Sequence, residues 1–262
     1  MNPENENGLK LFILYAGSIT NPDKGSLTPG RDVGKPFTFP VSMYVIDHPQ
    51  GLVVFDTGIT VDHWPDFMKP DAQDRPELRI DRQLIQLGYN PEDVKYVVQS
   101  HYHLDHCGGM KFLPKATFII RREEAKEAWW PPNRVPGETS YVFSDFKDTR
   151  YFNFIELEDN VDYDFFGDGA VICIDTKGHT RGHQSLIVNL PKSGKFVIAA
   201  DAASLPEQLE EKMPPGANIW STEAGLKSIE RLRRLRDSGA FIVLGHDPQQ
   251  WESLKIAPEY YE

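Results

Sequence analysis

This sequence predicts an α/β fold, on three observations. Short β-branched and aromatic runs recur along the chain, helical stretches separate some of them, and several runs end directly in histidine and aspartate. Strands interleaved with helices in this way are the pattern of sheets covered by helices, not of an all-α or all-β domain.

Taken in order, residues 9–16 read as a first strand. Residues 39–47 and 52–56 read as a hairpin around His48-Pro49-Gln50-Gly51, which makes His48 a turn residue. Between them, residues 17–36 are rich in Gly, Pro, Ser, Thr and Asp, and a loop of that length is more often functional than idle, so it is expected to border a site. Residues 60–76 show no regular period, and His63 and Trp64 within them receive no role. Leu78, Leu84, Ile85 and Leu87 are spaced for a helix that Gly88 ends. The turn Asn90-Pro91-Glu92-Asp93 then leads into a buried strand over 94–99. Residues 116–120 form another strand and 121–130 a helix stopped by Pro131-Pro132. Trp129, Trp130, Tyr141, Phe143, Phe146 and Tyr151 make the most aromatic stretch. Core packing is the commoner cause of such a stretch, and a pocket wall or a dimer contact is the alternative. Two or three strands lie between 153 and 174, and a hairpin of 185–190 with 195–200 ends at Asp201. A helix over 222–236 turns Leu226, Ile229, Leu232 and Leu235 inward, with Lys227, Glu230, Arg233, Arg234 and Arg236 largely outside. A last strand over 240–244 delivers Gly245-His246-Asp247. No repeat or linker divides the chain, so one domain over 1–262 is expected, with 1–8 as a flexible tail.

Composition narrows the function classes. With 40% hydrophobic and 26% charged residues, the chain can bury a core in the ordinary globular way. A net charge of −11 disfavours binding to phosphate backbones, so no nucleic acid partner is expected. No segment has the length of a membrane span, and the first residues lack the basic start and apolar core of a secretory signal. Two cysteines, Cys107 and Cys173, argue for a reducing cytoplasm rather than a disulfide scaffold.

The chemistry concentrates in Ser100-His101-Tyr102-His103-Leu104-Asp105-His106-Cys107-Gly108-Gly109, where three of the eight histidines fall within six residues. Side chains two apart on an extended segment point the same way, so His101 and His103 can grip one ion as the strand ends. Asp105 and His106 need a tight turn to converge elsewhere, and Gly108 and Gly109 are expected to supply its backbone freedom. An imidazole pair beside a mixed carboxylate and imidazole pair suits zinc or another borderline first-row metal. A surface loop that happens to carry histidines is the bland alternative. Cys107 is a further candidate thiolate, although a free cysteine more often packs as a small hydrophobe.

The His-x-His-x-Asp-His run followed by Gly-Gly resembles the signature of the metallo-β-lactamase superfamily. Gly178-His179-Thr180-Arg181-Gly182-His183 resembles its third histidine motif, and Gly245-His246-Asp247 its last. The resemblance implies a four-layer αββα sandwich. It also implies that His101, His103 and His179 hold one divalent ion and that Asp105, His106 and His246 hold a second. Asp201 would lie between them, since a carboxylate's two oxygens can serve two cations. His183 would be no ligand, and Asp56 of Asp56-Thr57-Gly58 would orient the ligands from behind. The ions would be zinc, with iron, manganese or cobalt as alternatives. A water shared by two cations loses a proton near neutral pH, which implies ester, thioester or lactone hydrolysis by a metal-bridging hydroxide.

Within the superfamily the chain is most similar to the N-acyl-homoserine lactonases, through the run from Phe39 to Gly51 and the closing Tyr260-Tyr261-Glu262. That implies a small-molecule lactone substrate with an apolar tail against 17–36 and 129–151, and a homodimer. A pyridoxolactonase-like enzyme is the nearest alternative. The 16 residues after His246 could not build the helical domain of glyoxalase II. A non-catalytic metal-binding protein is a further reading. One departure stands out: the lactonases place a tyrosine three residues after the bridging aspartate, and here that position is Ser204. Its hydroxyl ends roughly 4 Å short of a phenol's reach, so Tyr102 or Tyr141 becomes the candidate stand-in, or the substrate differs. Asp105, Asp201 and Ser204 are thus the candidate catalytic residues.

Overall fold

The computed structural model describes residues 8–61, 72–73, 75–131, 140–216 and 219–262. Two sheets carry the fold. The first contains β1 (Lys10–Asn21), β2 (Phe37–His48), β3 (Gly51–Phe55), β4 (Ala72–Gln73), β5 (Val94–Val98), β6 (Thr117–Arg121) and β7 (Asn153–Leu157), in the order β4-β1-β2-β3-β5-β6-β7. It is antiparallel from β4 to β3 and parallel from β3 to β7. The second contains β8 (Tyr163–Asp164), β9 (Val171–Asp175), β10 (Gln184–Leu190), β11 (Gly194–Ile198) and β12 (Phe241–Val243), in the order β12-β11-β10-β9-β8. The helices are α1 (Ile80–Gln86), α2 (Arg122–Trp129), α3 (Phe143–Phe146), α4 (Pro206–Glu211), α5 (Thr222–Asp237) and α6 (Pro248–Trp251).

The period of two in the strands sorts the apolar residues into three layers. Along β2, Val41, Met43 and Val45 face a core shared with Ile80 and Leu84 of α1 and Ala128 of α2. Tyr44 and Ile46 face the opposite way, into a core between the sheets with Phe55, Ile119, Cys173, Leu186, Val188 and Ile198. From the second sheet, Ile187 and Val197 point outward onto Ile229 and Leu232 of α5. Helices, sheet, sheet and helix stacked over three apolar layers are the αββα sandwich that the resemblance implied. Burying large residues such as Phe55 and Phe118 completely is worth about 1.5–3 kcal/mol each.

Several local expectations need correction. The first strand does not stop at Ala16 but bends through a bulge at that residue and runs on to Asn21. The connecting loop is correspondingly shorter, with a 3-10 turn at Lys24–Ser26. On α5 the inward face is Gly225, Ser228, Ile229 and Leu232, whereas Leu226 is 37% exposed. The reason is a close crossing: a Cβ on Gly178 would lie 2.3 Å from the backbone of Gly225, which draws that face of the helix against the loop after β9. Helices α4 and α6 were not expected. His48 is not a turn residue but the last residue of β2, paired with Gly51 across Pro49-Gln50, and it is buried, stacked on Phe166 at 3.8 Å and 3.0 Å from the carboxylate of Asp168. His63 and Trp64 lie outside the described residues.

Candidate metal centre

The strands aim the chemistry at one end of the sandwich. β3 and β5 are parallel neighbours, so Asp56 and His101 to His106 leave the first sheet at the same C-terminal end of its strands. β9, β11 and β12 run in a common direction in the second sheet and deliver His179, Asp201 and His246 from their C-terminal ends to the same place.

There the side chains form two groups, His101, His103, His179 and Asp201 in one, and Asp105, His106 and His246 in the other. Asp201 stands between them. Its Oδ1 is 3.1 Å from both His106 Nε2 and His246 Nε2, and its Oδ2 is 3.2 Å from His179 Nε2 and 3.9 Å from His101 Nε2. His103 Nδ1 lies 3.0 Å from His179 Nε2, and Asp105 Oδ2 lies 3.5 Å from His246 Nε2. Donors at about 2.1 Å from a tetrahedral ion sit about 3.4 Å apart, so these spacings fit such ions. A second observation points the same way: His101 Nε2, His106 Nε2 and Asp201 Oδ1 are buried without a hydrogen-bond partner among the described residues. Burying polar atoms this way is costly unless something compensates them, and a cation does so.

The outer nitrogens of these rings are held. Asp56 accepts from His106 Nδ1–H at 2.7 Å, from the Ser100 N–H at 2.7 Å and from the Ser100 hydroxyl at 2.8 Å. The same hydroxyl oxygen lies 2.9 Å from His101 Nδ1. His246 Nδ1–H donates to the Pro40 carbonyl at 3.0 Å. Such bonds fix which nitrogen remains free to face inward. Asp56 also sits at a positive φ of 58°, a conformation disfavoured for a residue with a Cβ, and the Ser100 contacts hold it there. His183 belongs to the support as well. Its Nε2 accepts the N–H of Asp201 at 3.1 Å and its Nδ1 meets the Thr176 hydroxyl at 3.0 Å, so both ring nitrogens are occupied.

Burial keeps His101, His103 and His183 well below the ordinary imidazole value of 6.5, and neighbouring imidazoles add to the effect. They are therefore neutral. Burial opposes the charge on His106 too, yet Asp105, Asp201 and Asp56 hold it well above that value. For Asp201, burial would favour the acid, but His246, His106 and His179 keep it well below the usual carboxylate range. A field that holds protons on imidazoles this firmly also favours a cation.

Beside the two groups opens a cavity of about 410 Å³. Ile19, Leu27, Phe39, Leu104, Pro215 and Ile219 form apolar walls, and His103, Asp105, His179, Asp201 and His246 form the floor. Residues from 17–36 therefore do border the site. Of the stretch 129–151, Ser140 lines the cavity, but none of its described aromatic side chains does. Trp129 and Phe146 pack with Tyr102 beneath the outer face of the first sheet, while Trp130 and Tyr151 are 77% and 86% exposed away from this cavity. The part of the stretch over 132–139 lies outside the described residues. Tyr102 is buried in the core, and the Tyr141 hydroxyl donates to Glu124 at 3.2 Å, so neither phenol reaches the cavity. Ser204 is also off the cavity: its hydroxyl is buried without a partner and its carbonyl accepts the His246 N–H at 3.0 Å. Cys107 is buried, donates to the Tyr102 carbonyl at 3.3 Å and belongs to neither group. Gly108 and Gly109 are needed for a different reason from the one expected. Neither has a positive φ, but added Cβ atoms would meet the Thr60 nitrogen at 2.6 Å and the Thr57 oxygen at 2.4 Å.

Sequence reasoning missed two residues that serve this region. Glu124 accepts the N–H groups of Tyr102 and Gly182. Gln208 donates to the Leu27 carbonyl on the cavity wall at 2.9 Å. Both come from charged or polar helical runs, where nothing in the local pattern separates an inward side chain from its neighbours.

The comparisons with known proteins agree with this geometry. A family model of the metallo-beta-lactamase superfamily matches residues 36–246. The N-acyl homoserine lactonase AttM of Azorhizobium caulinodans is 35% identical over 97% of this chain and 99% of its own, and that of Rhizobium radiobacter is 36% identical over 97% and 98%. A solved N-acyl homoserine lactone hydrolase, with N-hexanoyl-L-homoserine bound at its catalytic metal centre, superposes with a TM-score of 0.82 at 26% identity, covering 97% of this chain and 99% of that one. The chain therefore belongs to the metallo-β-lactamase superfamily and shares, over nearly its whole length, the fold of that superfamily's N-acyl homoserine lactonases.

Proposed function

We propose that this protein is a metal-dependent lactonase that opens the ring of N-acyl homoserine lactones. One observation carries the reading: a carboxylate, Asp201, offers one oxygen to each of two ligand groups at the floor of an apolar-walled cavity. His101, His103 and His179 would hold one ion and Asp105, His106 and His246 the other, with Asp201 placed between the two groups. The histidine-rich donor set favours zinc, ahead of iron, manganese or cobalt. When bound, two such ions supply an activated water and positive charge for the developing oxyanion. Asp56 and the Pro40 carbonyl keep the ring nitrogens aimed. Ile19, Leu27, Phe39 and Ile219 take the acyl tail and exclude bulk water, which leaves the lactone ring against the floor. Asp105 lines the cavity, where its carboxylate could take the proton that the attacking water gives up and hand it to the departing alkoxide.

The test is a panel of acyl-homoserine lactones, pyridoxolactone and simple γ- and δ-lactones, with metal content measured on the same preparation. Two ions per chain and preference for acyl-homoserine lactones are expected, and Asp201→Asn should lose both occupancy and at least about a hundredfold in kcat/KM. Full activity with one ion or none would sink the dinuclear reading.

A second reading, a lactonase for a different ring such as pyridoxolactone, is favoured by Ser204 and by the lack of any tyrosine among the described cavity residues. Ser204→Tyr separates the two. A rise in kcat on acyl-homoserine lactones indicates a missing donor, which can be worth on the order of a hundredfold, and a fall indicates that other groups already use the space. The two buried free thiols favour a cytoplasmic location. Exposed Trp130, Phe143 and Tyr151 favour a homodimer, checked by sedimentation. Among the described residues no helix is long and apolar enough to cross a membrane.

A further inference from the structure

Glu124 is fully buried at the start of α2, outside the cavity and outside both ligand groups. Its Oε1 accepts the N–H of Tyr102 at 2.9 Å, the peptide between His101 and His103, and the hydroxyl of Tyr141 at 3.2 Å. Its Oε2 accepts the N–H of Gly182 at 3.1 Å, three residues beyond His179. The Tyr141 ring in turn stands edge-on to His103 at 5.0 Å. The approach is close enough to dictate sequence: a Cβ on Gly182 would lie 2.4 Å from the Glu124 nitrogen.

From this geometry we infer that Glu124 is the positioning residue of the first ion site, setting the spacing between the His101–His103 segment and the His179 loop. The inference rests on the reading that those three histidines hold an ion. The chemistry of the contact is specific. Burial pushes the Glu124 carboxyl up to about 7 against the pull of the groups that donate to it, and in its ionised form it is an acceptor at both oxygens, so one side chain can receive N–H groups from two different segments. Glu124 touches no segment of the second ion site, whose His246 has its own support in the Pro40 carbonyl, while Asp56 backs both sites, His106 directly and His101 through Ser100.

Glu124→Gln keeps the shape of the side chain but replaces one oxygen by an amide NH₂. Whichever way the amide turns, it faces an N–H donor of one segment with another donor. Outer supports of metal ligands are worth about 10- to 100-fold in affinity. Chelator-stripped protein is titrated with Co²⁺ or Zn²⁺ against a competing chelator, which resolves the two binding steps without any substrate. Wild type is expected to bind two ions. Glu124→Gln is expected to weaken one step by about 10- to 100-fold and to leave the other within about threefold. Asp56→Asn, whose carboxylate backs His106 directly and His101 through Ser100, is expected to weaken both steps, and Gly182→Ala, which pushes the same loop off Glu124, to reproduce the Glu124→Gln pattern. If Glu124→Gln is too unstable to purify, Gly182→Ala carries the test. Two intact steps in Glu124→Gln and Gly182→Ala, or equal weakening of both, would overturn the inference. Wild type that binds no ion would instead overturn the reading beneath it.

Discussion

At the scale of single residues, the two histidines of Gly178-His179-Thr180-Arg181-Gly182-His183 divide by what their nitrogens touch. His179 offers Nε2 to Asp201 and His103. His183 spends one nitrogen on the Asp201 N–H and faces the Thr176 hydroxyl with the other. The two alanine variants should therefore fail differently. His179→Ala should remove an ion with little change in folding. His183→Ala should cost stability, about 1–3 kcal/mol for the donors it leaves unsatisfied, with metal stoichiometry kept at saturating ion. Calorimetry and elemental analysis on the same samples check both, and a greater metal loss in His183→Ala would reverse the assignment.

At the scale of elements, α4 acts on the cavity from behind. Gln208 reaches the Leu27 carbonyl, Glu207 pairs with Lys24, and Glu211 with Arg31, so the short helix after Asp201 fastens the loop that forms one cavity wall. The two ion pairs are partly exposed and contribute little on their own, whereas Gln208 is buried. Gln208→Leu should loosen that wall and raise KM for long-chain lactones about tenfold more than for short-chain ones, with kcat nearly unchanged. Equal effects on both chain lengths would show that the wall does not meet the tail. Neither α4 nor its contacts were legible in the sequence, because Gln208 and Leu27 are far apart in the chain and Pro206-Glu207-Gln208 reads locally as any exposed turn. The first ligand motif was legible for the opposite reason. The His101 to His106 cluster lies within six residues at a strand end, where local geometry already brings side chains together, whereas His179, Asp201 and His246 are assigned through the resemblance of their motifs to the superfamily's. Leu226 shows the intermediate case: its helix was visible, but the helix rotation depended on two glycines, Gly178 and Gly225, meeting across the fold.

At the scale of the whole molecule, the ionisable groups of the centre tie folding to pH. His101, His103, His179 and His183 are held below 6.5, so they are neutral in the fold and the unfolded chain takes up their protons first. The stability that this represents is present above 6.5 and is lost as pH falls through the depressed values. His106 and His246 are held above 6.5, and their contribution is present below 6.5 and lost as pH rises through the raised values. Protein stripped of metal should therefore be most stable near pH 6.5 and decline on either side. Bound cations take the place of the protons on His106 and His246, so the alkaline decline should vanish in metal-loaded protein. Thermal melts from pH 5 to 9 with and without chelator check this, and parallel curves would contradict it.

The ligands also come from both sheets: His101, His103, Asp105 and His106 from the first, His179, Asp201 and His246 from the second. Neither half owns a complete site, so the centre is a clasp that closes only when the two halves meet. In refolding with Co²⁺ present, the visible absorption of the tetrahedral ion should appear no earlier than burial of the Phe55, Ile119 and Leu186 layer between the sheets. The colour would then serve as a clock for the moment the sandwich closes, a quantity that backbone signals, which report each sheet separately, do not give.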